Sequence, residues 1–451
     1  DFSTPHHRYL HFLSVLKPVT CRKQRRNFPM RIMDMLTEKL ENLAKQGVFG
    51  EGSFLRVQNT LDSGKGAQFQ SEIAFLRVDL VIATGKIIGV PLIVKLQVKE
   101  EELREENVGD VQFFNEVTMY KTILPELGAL DLGLCPKMFH GEAHNGKNPE
   151  QDIVVIEDLC PQGYKVPEKL FLDADHLVMA MKKIGQLHGL SYKMKVSSPE
   201  RLFELRNMLI PKVIDDSKGL NDACLARGFK PLVESSPSYS VVNKVYKKLV
   251  VADAVDVAYS LQKPEEPFAV ITHGDFNGNN ILYKYDASGN VVDMKMIDFG
   301  FASYLDPAVD IAFFLYMNSS PETRKLHWDS FLNAYWEGVI SVAGDPGFSY
   351  SEFHHHFAER AICGYVACSF FLPMMLVGGL SNEVWIHMTA DERKNYFSTL
   401  GGKESTAAVS AIVSHLLAEG YLDAYLRNLD KVEPPKETLT PGYTNITFNF
   451  A

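Results

Sequence analysis

The sequence predicts an α+β chain of two lobes, a small β-rich first lobe and a larger, mainly helical second lobe. Three observations carry that expectation. Residues 72–98 alternate apolar and polar positions with the period of strands. From Asp173 onward apolar residues recur at helical spacing. The helical remainder is interrupted once, by two apolar runs about "DASGN" (286–290) that read as a β-hairpin. With 451 residues, 46% hydrophobic and 23% charged, the chain has a globular composition and enough length for more than one core.

The first thirty residues hold one acid, Asp1, against Arg8, Lys17, Arg22, Lys23, Arg25 and Arg26 around "YLHFLSVL". That balance has some transit-peptide character. "MRIMDML" from Met30 reads as a natural start, so residues 1–30 read as a disordered or artefactual extension. In "LRVDL" Leu76, Val78 and Leu80 alternate with Arg77 and Asp79, the period of a half-buried strand. After the turn "ATGK" (83–86), "PLIVKLQV" directs Leu92, Val94, Leu96 and Val98 one way and Ile93, Lys95 and Gln97 the other. A lysine therefore sits mid-strand. "VQFFNEVTMYKTIL" places Phe113, Val117, Tyr120 and Leu124 on a helical stripe flanked by Glu116, with Pro125 as its expected end. "DIVVIEDL" (152–159) is a further strand. Leu177, Ala180, Met181, Ile184, Leu187 and His188 share one side of the helix after Asp173. Residues 200–265 and 321–430 read as helices, and the Pro- and Thr-rich end as loose. The boundaries follow: first lobe 31–158, second lobe 159–430, tail 431–451.

Composition excludes several classes. A net charge of −10 speaks against nucleic acid as a main partner. Six scattered cysteines read as reduced thiols of a cytoplasmic protein rather than staples or a zinc site. Ala361–Asn382 carries no charge and is long enough to span a membrane. Gly364, Ser369, Pro373 and Gly378-Gly379 within it favour a buried helix broken near Pro373, so no membrane partner is expected.

The chemistry gathers at the hairpin. Pairing its strands about Ser288 brings Asn280 opposite residue 296. Asn280 and Asp298 then meet at the open mouth, with Asp275 of "THGDFNGNN" beside them. Two carboxylates and an amide on one spot repel unless a cation lies between them, and hard oxygen ligands suit Mg²⁺ with room left for phosphate. Asp, Asn five residues on, and Asp298-Phe299-Gly300 after a hairpin are the parts of a phosphotransfer site: catalytic base, metal ligand and second metal ligand. Lys95 is placed to hold the phosphates of ATP, with Glu116 as its ion-pair anchor. "SGKGAQFQS" (63–71) is either a plain loop or the glycine turn, through Gly64 and Gly66, whose N–H groups cover those phosphates. Glu157, Asp158 and Leu159 form the crossover between lobes, where backbone groups would meet an adenine edge. Asp310 follows Asp298 closely and no Ala-Pro-Glu comes after it, which leaves no room for a peptide-binding activation segment. A small-molecule acceptor is favoured.

With these residues in view, the chain resembles the ecdysteroid-kinase-like (CHK kinase-like) family, relatives of choline and aminoglycoside kinases, over about residues 50–425. "FFNEVTMYKTILPEL", "VVIEDLCPQGY", "IGQLHGLSY", "THGDFNGNNILY", "MIDFGFASYLDPAVDIAFFL" and "ERAICGYVACSFFLPMML" carry the resemblance. It implies a two-lobed protein-kinase-like fold and an ATP- and Mg²⁺-dependent transferase acting on an alcohol, an ecdysteroid or another sterol-like or xenobiotic-derived one. By resemblance Asp275 is the base, Asn280 and Asp298 hold Mg²⁺, and Lys95 and Glu116 position ATP. His273 and Asp310 would brace the catalytic loop. Family members usually have an aromatic residue where Asn277 stands and Gln where Gly300 stands, departures that bear on the acceptor and remove no catalytic group. The alternative from another class is a catalytically silent nucleotide-binding module acting through a partner. His354-His355-His356 reads as a surface run, because consecutive helical residues point apart. His188 reads as a packed helix histidine, and Asn445-Ile446-Thr447 fits a glycosylation sequon without use in a cytoplasmic protein.

Overall fold

The computed structural model describes residues 30–60, 71–106, 108–211, 220–251, 257, 260–379 and 388–431. The extension before Met30, the glycine turn with Gly64 and Gly66, and the tail beyond Lys431 lie outside the described residues.

The two expected lobes are present. The first pairs helix α1 (Met30–Lys45) with an antiparallel five-stranded sheet in the order β1-β2-β3-β5-β4. Its strands are β1 (Ser53–Asn59), β2 (Ser71–Val81), β3 (Ile87–Gln97), β4 (Met138–Glu142) and β5 (Ile153–Glu157). The alternation read from the sequence sorts side chains onto two faces. Leu76, Val78, Leu80, Leu92, Val94 and Leu96 pack with Leu36 and Leu40 of α1. Ile93, Val154 and Ile156 turn to the opposite face and join the core of the second lobe. Asp79 on the second face is polar and only 1% exposed. Arg56 Nε and Arg77 Nε donate to its carboxylate at 2.9 and 2.8 Å, which satisfies it.

Helix α2 (Gly109–Thr118) lies against that second face. It does not end at Pro125. A π-turn (Met119–Ile123) and one more α-turn (Leu124–Leu127) extend it, and Gly128, at φ 85°, stops it. The π-turn already interrupts the i→i−4 ladder where proline has no N–H to give, so Pro125 is tolerated inside the last turn. After β5 the chain crosses between lobes at 157–159 and forms β6 (Tyr164–Lys165).

The second lobe is built on α3 (Ala174–Ser197), N-capped by the Asp173 carboxylate. Strands β7 (Val270–Thr272) and β10 (Ser303–Leu305) pair, and so do β8 (Ile281–Tyr285) and β9 (Val291–Met296), the expected hairpin. Ile281 faces Met296, and Ile297 N–H donates to the Asn280 carbonyl at 3.0 Å. Helices α4 (Ala308–Asn318), α5 (Pro321–Ala343), α6 (Tyr350–Arg360), α7 (Ile362–Leu376) and α8 (Tyr421–Lys431) complete the core with their neighbours. α4 is apolar and buried along nearly its whole length, so no amphipathic period marks it.

Two expectations for α6 and α7 change. The break falls at Ala361, where the two helices bend by 47°, and α7 runs three residues beyond Pro373. A proline this close to a helix end removes one ladder bond. The bend comes instead where α6 leaves its packing on α8 and α7 lies along α4. Among the described residues no single helix is long and apolar enough to cross a membrane; α6 and α7 pass that test only as a bent pair. His356 is not on the surface either. It is 5% exposed, stacks on Phe268 at 4.0 Å and hydrogen-bonds Asp306 Oδ2 at 2.5 Å, while His355 is the exposed member of the run.

α3 and α5 touch backbone to backbone. A Cβ on Gly185 would sit 2.2 Å from the Tyr335 carbonyl oxygen, and one on Gly338 would sit 2.1 Å from that of Lys182. Gly185→Val must therefore push the helices apart, at about 3 kcal/mol or more, and is expected to lower Tm or prevent folding. A Tm equal to that of the parent would rule out this close crossing.

Candidate active site

Lys95 projects from the inner face of β3 to the buried Glu116 carboxylate of α2. Its Nζ lies 2.9 Å from both Glu116 oxygens and 3.2 Å from Asp298 Oδ1. Lys95 is 5% exposed and Glu116 3%, so the pair is shielded from water. Burial works against the ammonium, but the Asp298 and Glu116 charges outweigh it and hold the Lys95 pKa above its ordinary value. Burial also pushes the Glu116 carboxyl up to about 7, against the pull of Lys95 and with the help of the Asp298 charge.

Asp298 stands where the hairpin opens. Its φ of 67° is left-handed, a conformation that costs roughly 1 kcal/mol or more in a residue with a side chain. Phe299 anchors that turn. Its fully buried ring meets Tyr120, in the π-turn that extends α2, edge-on at 5.5 Å and His273 at 4.6 Å. Gly300 rests on α2 as well: a Cβ there would lie 3.0 Å from Gln112 Cβ and 3.1 Å from its carbonyl oxygen. The short residue after Asp-Phe thus suits the close seat of α2 on this loop.

Residues 273–280 form the other half of the mouth. Gly274 adopts φ 80°, and a Cβ on it would meet the Phe301 carbonyl oxygen at 1.9 Å, so the position requires glycine. Asp310 of α4 holds the loop from beneath: its Oδ2 accepts the His273 N–H at 2.7 Å and its Oδ1 accepts the Gly274 N–H at 2.9 Å. His273 Nε2 in turn bonds the Ile297 carbonyl at 3.0 Å and so ties the loop to the residue before Asp298. Asn280 Nδ2 donates to Asp275 Oδ2 at 2.8 Å and to the Asp275 carbonyl at 2.9 Å. With its nitrogen so committed, the amide oxygen of Asn280 is the atom left for a cation. That oxygen and the Asp298 carboxylate form a hard donor set of the kind Mg²⁺ takes while keeping waters or phosphate, so the residues fit the ion.

The fold thus gathers Lys95, Glu116, Asp275, Asn280 and Asp298 where the lobes meet, with His273 and Asp310 fully buried beneath them. Gly64 and Gly66 lie outside the described residues. The crossover is narrower than expected. The Glu157 N–H donates to the Lys137 carbonyl at 2.8 Å and the Asp158 N–H to that of Pro91 at 3.1 Å, which leaves Leu159 as the backbone donor of the expected three. Asp158 is buried, and its carboxylate accepts the Cys160 N–H at 2.9 Å. An apolar platform not read from the sequence lies beneath: Leu159 and Leu282 with Tyr164, packed by Val166 and Ile297. The alternation of β8 already directed Leu282 away from Ile281 and Tyr283.

His188, read as simple packing, has a specific task. It is fully buried, with Nε2 3.1 Å from Asp310 Oδ2 and Nδ1 3.1 Å from the Tyr335 hydroxyl. Asn318 at the end of α4 was also missed. Its Oδ1 accepts the Gly278 N–H at 3.0 Å. Both are polar residues on otherwise apolar helix faces, which is the signal that would have found them.

The model of the Ecdysteroid kinase-like family matches residues 65–343, more than half of the chain and all of the described cleft. Among solved structures the chain is similar to the choline kinase LicA from Streptococcus pneumoniae, at 14% identity over 85% of this chain and 99% of that one, with a TM-score of 0.36. No curated protein matches. The chain belongs to the ecdysteroid kinase-like family.

Proposed function

We propose that the protein is an ATP- and Mg²⁺-dependent kinase that phosphorylates the hydroxyl group of a small alcohol. The observation that supports this best is the convergence of Lys95, Glu116, Asp298, Asn280 and Asp275 from four separate elements on one cleft. The adenine would lie on Leu159, Leu282 and Ile297, with the Leu159 backbone at its edge. Lys95, fixed by Glu116, would hold the α- and β-phosphates. Mg²⁺, held by Asn280 Oδ1 and Asp298, would supply charge compensation at the β- and γ-phosphate oxygens. Asp275 would orient the acceptor hydroxyl and take its proton. As the bond from that oxygen to the γ-phosphorus forms, the bond to the β–γ bridging oxygen breaks, and ADP leaves.

The acceptor side of the loop borders the end of α7, where Met375 Sδ lies 3.8 Å from Asn279 Nδ2. An alcohol with an apolar body suits that side: the family description names ecdysteroids, and other sterol-like or xenobiotic-derived alcohols share that character. The five described cysteines, Cys135, Cys160, Cys224, Cys363 and Cys368, form no disulfide, which fits a cytoplasmic setting. A screen of metabolite extracts with labelled ATP tests the proposal. One or more alcohols should gain phosphate; ATP binding without transfer across a broad alcohol panel would favour a silent nucleotide-binding module instead.

Asp275 and Asp298 should separate under substitution. Asp275→Asn should lower turnover by about 10²–10⁴-fold with ATP affinity within a few-fold of the parent. Asp298→Asn should abolish transfer and also weaken Mg²⁺-dependent ATP binding. Titration calorimetry beside turnover decides, and a normal rate in Asp298→Asn would sink the metal assignment.

The lysine pair makes a pH prediction. Above the raised pKa of about 7 Glu116 is ionised and anchors Lys95; below it the protonated carboxyl releases the anchor. In the free enzyme kcat/KM for ATP should therefore rise with pH through an ionisation near pH 7 and then level off. Glu116→Gln should lose that limb while keeping the ionisation of ATP itself, and Lys95→Met should be close to inactive throughout. An identical pH profile in Glu116→Gln would contradict the assignment.

A further inference from the structure

Asn280 is not alone in holding Asp275. Asn277 Nδ2 donates to Asp275 Oδ1 at 2.9 Å and to the Asp275 carbonyl at 3.2 Å. The two carboxylate oxygens therefore each receive a side-chain amide, Oδ1 from Asn277 and Oδ2 from Asn280. Asn277 is itself fixed. Its backbone is extended, at φ −146° and ψ 168°, and its Oδ1 accepts the Asn279 N–H at 2.9 Å to cap the short turn Gly278–Asn280. The next residue, Gly278, is tied to Asn318, whose Nδ2 donates to the Leu170 carbonyl at 3.0 Å. The amide is thus braced from the core of the second lobe.

We propose that Asn277 is a positioning residue for the catalytic base: its amide and that of Asn280 grip the Asp275 carboxylate from both oxygens and fix the plane in which it meets the acceptor hydroxyl. The proposal rests on the reading of Asp275 as the base. The terminal torsion of an aspartate is broad, so one hydrogen bond leaves the carboxylate free to rock. A second donor on the other oxygen removes that freedom. Asn277 does not reach ATP in this scheme, and its own oxygen is taken by Asn279. Its effect must pass through Asp275.

A double-mutant cycle tests this, read as phosphate release from Mg·ATP with water in the acceptor's place, beside ATP affinity by calorimetry. Asn277→Ala should lower the rate about 10- to 100-fold, as misplacement of a reacting group does, with ATP affinity within a few-fold of the parent. The same substitution made on Asp275→Asn should cause little further loss. An equal loss in both backgrounds, or a parallel loss of ATP binding, would show a general structural role and overturn the proposal. Should Asn277→Ala fail to fold, Asn277→Asp keeps the acceptor for Asn279 and replaces the donor by a repelling carboxylate, and should reproduce the result. If Asn277→Ala is fully active while Asp275→Asn is not, only the positioning role fails. If Asp275→Asn is itself as active as the parent, the base assignment fails and the positioning role with it.

Discussion

The buried ammonium of Lys95 lies between two carboxylates that come from different parts of the chain, Glu116 on α2 and Asp298 at the hairpin mouth. A charge so shielded is costly unless its partners are close and well oriented. Keeping it paired constrains three elements at once: the register of β3, the seat of α2 and the left-handed turn at Asp298. Such a triad is weak evidence for stability, since an apolar set of the same volume would serve a core as well. Its retention in the cleft is better explained by what it does to charged groups that enter there.

Asp310 supplies the second constraint, by a different means. Where Lys95 is held by opposite charge, the loop at 273–274 is held by its own backbone N–H groups, both directed onto one buried carboxylate. His188 and Tyr335 extend that contact into α3 and α5, the pair of helices whose backbones meet at Gly185 and Gly338. The loop that carries Asp275 thus rests on two helices whose backbones touch, a rigid support of the kind that precise placement of a side chain needs.

Much of this was legible because it is local. The two faces of β3, the stripe of α2 and the hairpin about residues 286–290 each follow from a period of two or of 3.6, and the mouth of a hairpin is fixed once its turn is found. What escaped notice depends on contacts distant in sequence. His356 is buried because Phe268 and Asp306 happen to lie over it, which no helical period around residue 356 reveals. His188 and Asn318 matter through bonds to residues far along the chain, Asp310 and Gly278 respectively. Pro125 was read as a helix end and Pro373 as a break because proline lacks an N–H; the π-turn before one, and the nearness of the other to a helix end, let both stay inside. The donors of the crossover could not be sorted from sequence, because Lys137, just before β4, and Pro91 of β3, which take up two of them, are distant along the chain.

The seat of α2 has a mechanical consequence. Along the chain it falls between strands of the first lobe, yet Phe113, Val117 and Tyr120 belong to the large core of the second, and α1 with the outer sheet face forms a core of its own. Asn115 adds a pair of 2.9 Å hydrogen bonds to both backbone groups of Ile210. The inner sheet face joins that same large core through Ile93, Val154 and Ile156, so Lys95 and Glu116 pair inside one continuous packing unit that spans both lobes. A substitution that loosened α2 from this unit would disturb the lysine pairing and the Asp298 turn together, because Phe299 packs on Tyr120 next to both.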